Sequence, residues 1–191
     1  PAPGSYSTPV IAQIQDEPLL LLVGGQDFYA LDPFTGSTIW SVPWNVKNNI
    51  NICTPVYSDE HSIAVVSAWY KKGTQAVRID GGKPEVLWHT DILQAHQTDP
   101  IILGDYLYGY SGMSAHNKDE FKCLNLLTGE EQWSTRELGT GQFIYIDPYF
   151  LSIDIKGNLY LTEASAEYVK IVNKMENMIE SYYSIYKNLW K

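Results

Sequence analysis

Cysteine is scarce in this chain: there are two in 191 residues, and they are not adjacent. Cys53 and Cys123 sit in strand-like runs and read as buried thiols rather than as a disulfide framework. Basic charge is short as well. Thirteen Lys and Arg against 22 Asp and Glu leave a net charge of −9, and no basic cluster exceeds the pair Lys71-Lys72. Sequence-independent binding to nucleic acid needs a basic face, so no nucleic-acid partner is expected. No stretch reaches the roughly 18 apolar residues of a spanning helix, so no membrane span is expected either. The longest unbroken apolar run, Leu19 to Val23, is strand length. The chain also lacks a Gly-x-Ser-x-Gly elbow, a Walker A loop, a His-Glu-x-x-His helix and any Asn-x-Ser/Thr sequon. No catalytic residue and no metal ligand is therefore assigned. Pro1 opens no signal peptide, and Pro-Ala-Pro-Gly reads as the interior of a longer protein or a trimmed start.

What the chain does contain is a repeat. Ala30, Asp32, Gly36 and Trp40 share their mutual spacing with Cys123, Asn125, Gly129 and Trp133. A looser copy, two residues longer, runs from Ala76 through Asp80 and Gly82 to Trp88 and carries the insertion Gly81-Gly82-Lys83-Pro84. Each copy reads as strand, tight turn, strand. Asp or Asn at the turn entry can accept from the turn's own backbone, Gly supplies positive φ, and the Trp closes the hairpin as a large anchor. The tryptophans recur at spacings of 48 and 45, and a second marker, Ser7-Thr8-Pro9, Cys53-Thr54-Pro55 and Thr98-Asp99-Pro100, recurs at 46 and 45. Two markers in phase at about 46 residues fit a blade of four antiparallel strands.

The frame Ala-x-Asp-x-x-Thr-Gly-x-x-x-Trp of the first copy resembles the tryptophan-docking motif of the PQQ-like, or quinoprotein alcohol dehydrogenase-like, β-propellers. The resemblance covers roughly residues 5 to 165. It implies an all-β propeller segment occupying 1–191 as a single unit, with blades near 5–44, 50–90, 96–137 and 141–175. A tail, 176–191, leads towards a next blade. The tail's apolar spacing fits a short helix, whereas the repeat register fits a strand, and the strand is preferred. The resemblance assigns structural docking roles to Ala30, Asp32, Gly36, Trp40, Asp80, Trp88, Asn125, Gly129 and Trp133.

About four blades are half of a seven- or eight-bladed ring. Uncovered blade faces at both ends would leave several hundred Å² of apolar surface each, on the order of 10 kcal/mol per face. The expected partners are therefore missing blades of the same ring, a protein partner, or a second copy completing an eight-bladed ring. Four blades closing alone is a tighter alternative.

None of the four histidines pairs at metal-ligand spacing. His61 and His116 fall in a turn and a loop and read as solvated. Tyr6, Asn51, His96, Gln97 and Gln142 lead into innermost strands, where a small ligand would meet the central channel. A water-lined polar wall is the plainer reading of these residues. The family includes the propeller lipoprotein of the bacterial outer-membrane assembly machinery, which implies a non-enzymatic binding scaffold placed in the periplasm or outside the cell. The alternatives are part of a PQQ-dependent oxidoreductase, with quinone and calcium at the ring centre, and a sensor domain of a larger surface protein. No cofactor is expected outside the oxidoreductase alternative. The adjacent cysteine pair of many such alcohol dehydrogenases is absent, and no acidic residue here matches their catalytic positions.

Overall fold

A computed structural model describes residues 4–14, 17–80, 83–112 and 119–178. These residues form four four-stranded antiparallel sheets, each with its strands in sequence order. Blade one holds β1 (Val10–Ile14), β2 (Glu17–Val23), β3 (Asp27–Leu31) and β4 (Thr38–Pro43). Blade two holds β5 (Val56–Ser58), β6 (Ile63–Ala68), β7 (Gly73–Asp80) and β8 (Lys83–Thr90). Blade three holds β9 (Ile101–Leu103), β10 (Tyr106–Ser111), β11 (Glu120–Asn125) and β12 (Glu131–Thr135). Blade four holds β13 (Gly141–Ile146), β14 (Tyr149–Asp154), β15 (Leu159–Glu163) and β16 (Ile171–Met175). β1 begins only at Val10 and β5 only at Val56, because Tyr6 and Ser7 bond to the neighbouring blade, as does the Cys53 carbonyl, and not to their own ladder. The last strand runs from Ile171 to Met175. The competing strand and helix readings of the tail fall largely on residues 179–191, outside the described residues.

One cross-strand row defines each blade. Val10, Leu21, Ala30 and Trp40 pair in blade one, and Val56, Val65, Ala76 and Trp88 in blade two. Ile101, Tyr108, Cys123 and Trp133 pair in blade three, and Ile144, Leu151, Leu161 and Asn173 in blade four. In all four blades the ladder between the third and fourth strands slips by a bulge one residue after this row. The extra residue keeps the Trp on the row while the following hairpin turns away. Small residues, Ala30, Ala76 and Cys123, lie beside the three indoles.

The indole-bearing face of each blade packs on the opposite face of the next. Leu21, Phe28, Trp40 and Val42 meet Ala64, Val66, Val77 and Ile79. Ile63, Val65 and Trp88 meet Leu107, Leu124 and Leu126. Tyr108, Phe121 and Trp133 meet Phe143, Phe150 and Tyr160, with tilted and edge-on ring pairs at 4.8–4.9 Å. Trp88 donates its Nε1–H to the Leu126 carbonyl at 2.8 Å, and Trp133 donates to the Ser165 carbonyl at 3.0 Å. Trp40 is buried edge-on to Phe28, and its N–H has no partner among the described residues. The Gly81-Gly82 turn and the Asp80 side chain, which belong to the blade opposite it, lie outside them.

The turns of blades one and three are built alike. Asp32 Oδ1 accepts from the Phe34 and Thr35 amides at 2.7 and 3.0 Å, and Asn125 Oδ1 accepts from Leu127 and Thr128 at 2.9 and 3.0 Å. Gly36 and Gly129 donate to the Asp32 and Asn125 carbonyls at 2.9 and 2.8 Å, with φ of 71° and 75°. Their surroundings differ. A Cβ on Gly129 would stand 2.7 Å from the Trp88 ring, whereas one on Gly36 would meet nothing within 4 Å. Gly36→Ala should cost only the left-handed backbone penalty, about 1–2 kcal/mol. Gly129→Ala should cost about 2–5 kcal/mol, because displacement of the indole adds to that penalty. Urea unfolding of the two variants, compared at equal m-value, measures the difference.

Candidate functional site

The inner edge of the arc is tied by a chain of side-chain hydrogen bonds. Ser7, Cys53, Thr98 and Gly141 each stand three residues ahead of the row residue on their blade's first strand. Ser7 Oγ donates to the Cys53 carbonyl at 2.8 Å. Cys53 Sγ reaches the Thr98 carbonyl at 3.6 Å and the His96 carbonyl at 3.3 Å. Thr98 Oγ1 donates to the Gly141 carbonyl at 3.0 Å. The Thr54 amide adds a bond to Asp99 Oδ1 at 2.7 Å. The Cys53 thiol is thus a hydrogen-bond donor inside the wall. Burial first, and then the Asp99 charge, hold it far above the ordinary thiol range, which favours the protonated thiol. Both cysteines are buried and unpaired, and burial pushes the Cys123 thiol up to about 12.

Counting from the ladder corrects the expected equivalence of the inner residues. Asn51 and His96 hold matching places, but their counterparts in blades one and four are Ser5 and Gly139, not Tyr6 and Gln142. Tyr6 is 76% exposed, and its amide donates to the Asn51 carbonyl. Asn51 is 1% exposed; it accepts from Trp44 Nε1 at 3.0 Å and donates to the Gly24 carbonyl at 2.8 Å. Its amide is committed to the joint between blades one and two.

His96, Gln97 and Gln142 do come together. With Thr98, Tyr110 and Asp119 they line a cleft of about 260 Å³ between blades three and four, at the end where β9 and β13 begin. Gln142 Nε2 donates to the Gln97 carbonyl at 3.1 Å across it. Asp154, also on this wall, is occupied. Its Oδ1 accepts from the Lys156 and Asn158 amides at 2.9 Å, and its Oδ2 from Asn158 Nδ2 at 2.8 Å and the Tyr160 hydroxyl at 3.1 Å. His96 stands edge-on to Trp69 and Tyr70, at 5.9 and 5.5 Å, and neither ring nitrogen has a hydrogen-bond partner among the described residues. Burial lowers its pKa, which keeps the imidazole neutral. Tyr110 and Asp119 were not legible as wall residues, since their strand ends carry no motif; Thr98 belongs to the second sequence marker. The wall can hydrogen-bond a small polar molecule.

Elsewhere, His61 is not a solvated turn residue. It bridges blades by pairing with Asp105 at 2.8 Å, its side chain 18% exposed. His89 contacts the Lys72 carbonyl at 2.6 Å, and His116 lies outside the described residues. Among the described residues no group of three His, Cys, Asp or Glu side chains is placed to share a metal ion.

These sheets and their stacking define the class: an all-β propeller segment of the PQQ-like fold. The chain superimposes on BamB from Moraxella catarrhalis with a TM-score of 0.68 and 16% identity, over 92% of this chain and 50% of that one. The computationally designed Ika4 protein matches with a TM-score of 0.57 and 14% identity, over 86% of this chain and 96% of that one. Quinohemoprotein alcohol dehydrogenase from Comamonas testosteroni matches with a TM-score of 0.54 and 13% identity, over 85% and 29%. The chain therefore spans about half the length of the BamB it resembles. No protein-family model and no curated protein sequence matches it.

The buried imidazole sets a pH dependence. Its folded pKa lies below the ordinary 6.5, so as pH falls through that value the unfolded chain takes up a proton that the folded chain does not. Stability should drop between pH 7.5 and pH 5.5. His96→Phe, which keeps a ring against Trp69 and Tyr70, should show a smaller drop in paired urea titrations at about these two pH values.

Proposed function

We propose that this chain works as a non-enzymatic binding scaffold, a PQQ-like propeller segment whose uncovered blade faces and rims receive protein. The observation that carries the reading is the outward face of blade four. Its row bears Asn173 in place of an indole, and around it Ile144 and Met175 are 56% and 43% exposed. Leu151, Ile153, Leu159 and Leu161 lie half-buried on the same face. The three core clusters join blade one to two, two to three and three to four, and none joins four to one. An apolar sheet face of this kind marks an interaction surface. Further blades of the same polypeptide, or a second copy closing an eight-bladed ring, would cover it, and the cleft beside His96 offers a secondary place for a small polar ligand. Placement in the periplasm or outside the cell belongs to this reading and rests on the family resemblance alone. No helix among the described residues is long and apolar enough to cross a membrane.

Size-exclusion chromatography with light scattering, run beside binding of a hydrophobic dye, tests it. The chain should self-associate or bind the dye, and the double variant Ile144→Lys, Leu161→Glu should lose most of that behaviour. A dye-silent monomer, unchanged by the double variant, would overturn the reading.

A further inference from the structure

Three tyrosines stand at the joint between blades three and four, in places that the other joints fill mainly with aliphatic side chains. Two of these places lie on a blade's second strand, at the row residue and two before it. The third lies on the next blade's first strand, one residue after its row. At the joint of blades one and two they hold Leu21, Leu19 and Tyr57, and at the joint of two and three Val65, Ile63 and Ile102. All six pack into those two cores. At the third joint the same places hold Tyr108, Tyr106 and Tyr145, and with Asp105, Ala164 and Ala166 they line a recess of about 330 Å³. It lies at the ends of β10 and β14 away from residues 113–118 and away from Gly157, to which Met178 is bonded. The Tyr145 hydroxyl donates to Asp147 Oδ1 at 2.7 Å, which leaves its oxygen as an acceptor. Burial, then the Cys123 thiol, then the phenols of Tyr106 and Tyr145 push the Tyr108 pKa up, so the three hydroxyls stand within electrostatic reach of one another. Asp105 Oδ1 pairs with His61 at 2.8 Å, and its side chain stays 57% exposed. Among the described residues no Lys or Arg lines the recess.

From this geometry we infer that the recess receives an arginine side chain of a protein partner. The inference rests on reading the chain as a scaffold that receives protein, and it adds a second surface of defined chemistry. Phenol oxygens and a carboxylate are acceptors, and a guanidinium is a planar fork of five N–H donors with no acceptor of its own. The rings and alanines form walls on which that plane can stack, and its weak hydration makes entry less costly than for an ammonium. Asp105 supplies the opposite charge at short range. The net charge of −9 draws a cationic partner from further away.

The test uses N-acetyl-L-argininamide as the probe, titrated into the isotope-labelled chain and followed by amide chemical shifts. Saturable shifts should appear at Gly104, Asp105, Tyr106 and Tyr145 and not at Leu21 or Tyr57, which hold the corresponding places of the first joint. N-acetyl-L-lysinamide carries the same charge and should bind roughly tenfold more weakly. Asp105→Asn should weaken the arginine probe by roughly tenfold, and Tyr145→Phe by about threefold. Tyr145 is exposed, so its variant keeps the fold, and an unchanged Trp133 indole signal reports an intact joint. Equal binding of the two probes, shifts that do not saturate, or unchanged affinity in both variants would overturn the inference, since attraction to an acidic chain would then explain the shifts. Free L-arginine binding roughly tenfold more tightly than the blocked probe would overturn the assignment to a protein partner, making the occupant a free amino acid. A dye-silent monomer that still takes the arginine probe here would remove the blade-four reading and leave the recess standing. A chain that binds dye but shows no arginine shifts would do the reverse.

Discussion

A sheet of four strands has two faces, and this chain gives each blade only enough apolar surface to be stable when both are covered. That constraint governs the molecule. The row ending in Trp40, Trp88 or Trp133 supplies a broad apolar face, and the next blade supplies a face of Val, Ile, Leu or aromatic residues to receive it. The bulge after each row and the Asx turn beyond it follow from the same need. They hold the ring at the height where the neighbour's turn has a glycine or small residue and an open carbonyl. Stability in such an array is a sum of blade and joint terms, so each joint matters separately.

Much of this was legible in the sequence because the hairpin uses residues with few other uses. A Trp at fixed distance from an Asx and a Gly survives as a pattern even when the intervening strand changes. Blade four shows the limit. Its row is Ile144, Leu151, Leu161 and Asn173, ordinary strand residues with no landmark, so its strands could be placed from apolar runs but its register could not. The inner wall was legible in part. His96, Gln97 and Gln142 line one cleft; Asn51, at the same register position as His96, is bound instead to Trp44 and the Gly24 carbonyl, and Tyr6 is exposed. The chain of bonds from Ser7 through Cys53 and Thr98 was hidden for a different reason: a hydroxyl, a thiol and a hydroxyl do one job there, and no sequence pattern groups them.

Polar groups in this molecule are mostly spent on joints. Asn51, Asp99, Thr98 and His61 each bind across two blades, and Asp154 is saturated by its own turn. The cleft beside His96 also carries Gln97, Gln142, Tyr110 and Asp119, with the imidazole packed edge-on to Trp69 and Tyr70. That distribution is one ground for the scaffold reading proposed above. The fold itself is silent on the point, since the same blades serve BamB and a quinohemoprotein dehydrogenase.

The two ends of the arc are not complementary in the way its internal joints are. Inside, Trp88 and Trp133 each donate to a backbone carbonyl of the next blade, and all three joints pair a hydroxyl or thiol with such a carbonyl. At the blade-four end both devices stop together. Asn173 replaces the indole, and Gly141 ends the inner chain of donors because it has no side chain to give. Gly141 is not free to change: a Cβ there would stand 1.8 Å from the Ile153 carbonyl oxygen, so the close approach of β13 to β14 forbids a donor at that position. At the blade-one end the Asp32 turn is formed and its Gly36 is exposed. The blade-four face therefore offers aliphatic packing without an indole or an inner donor.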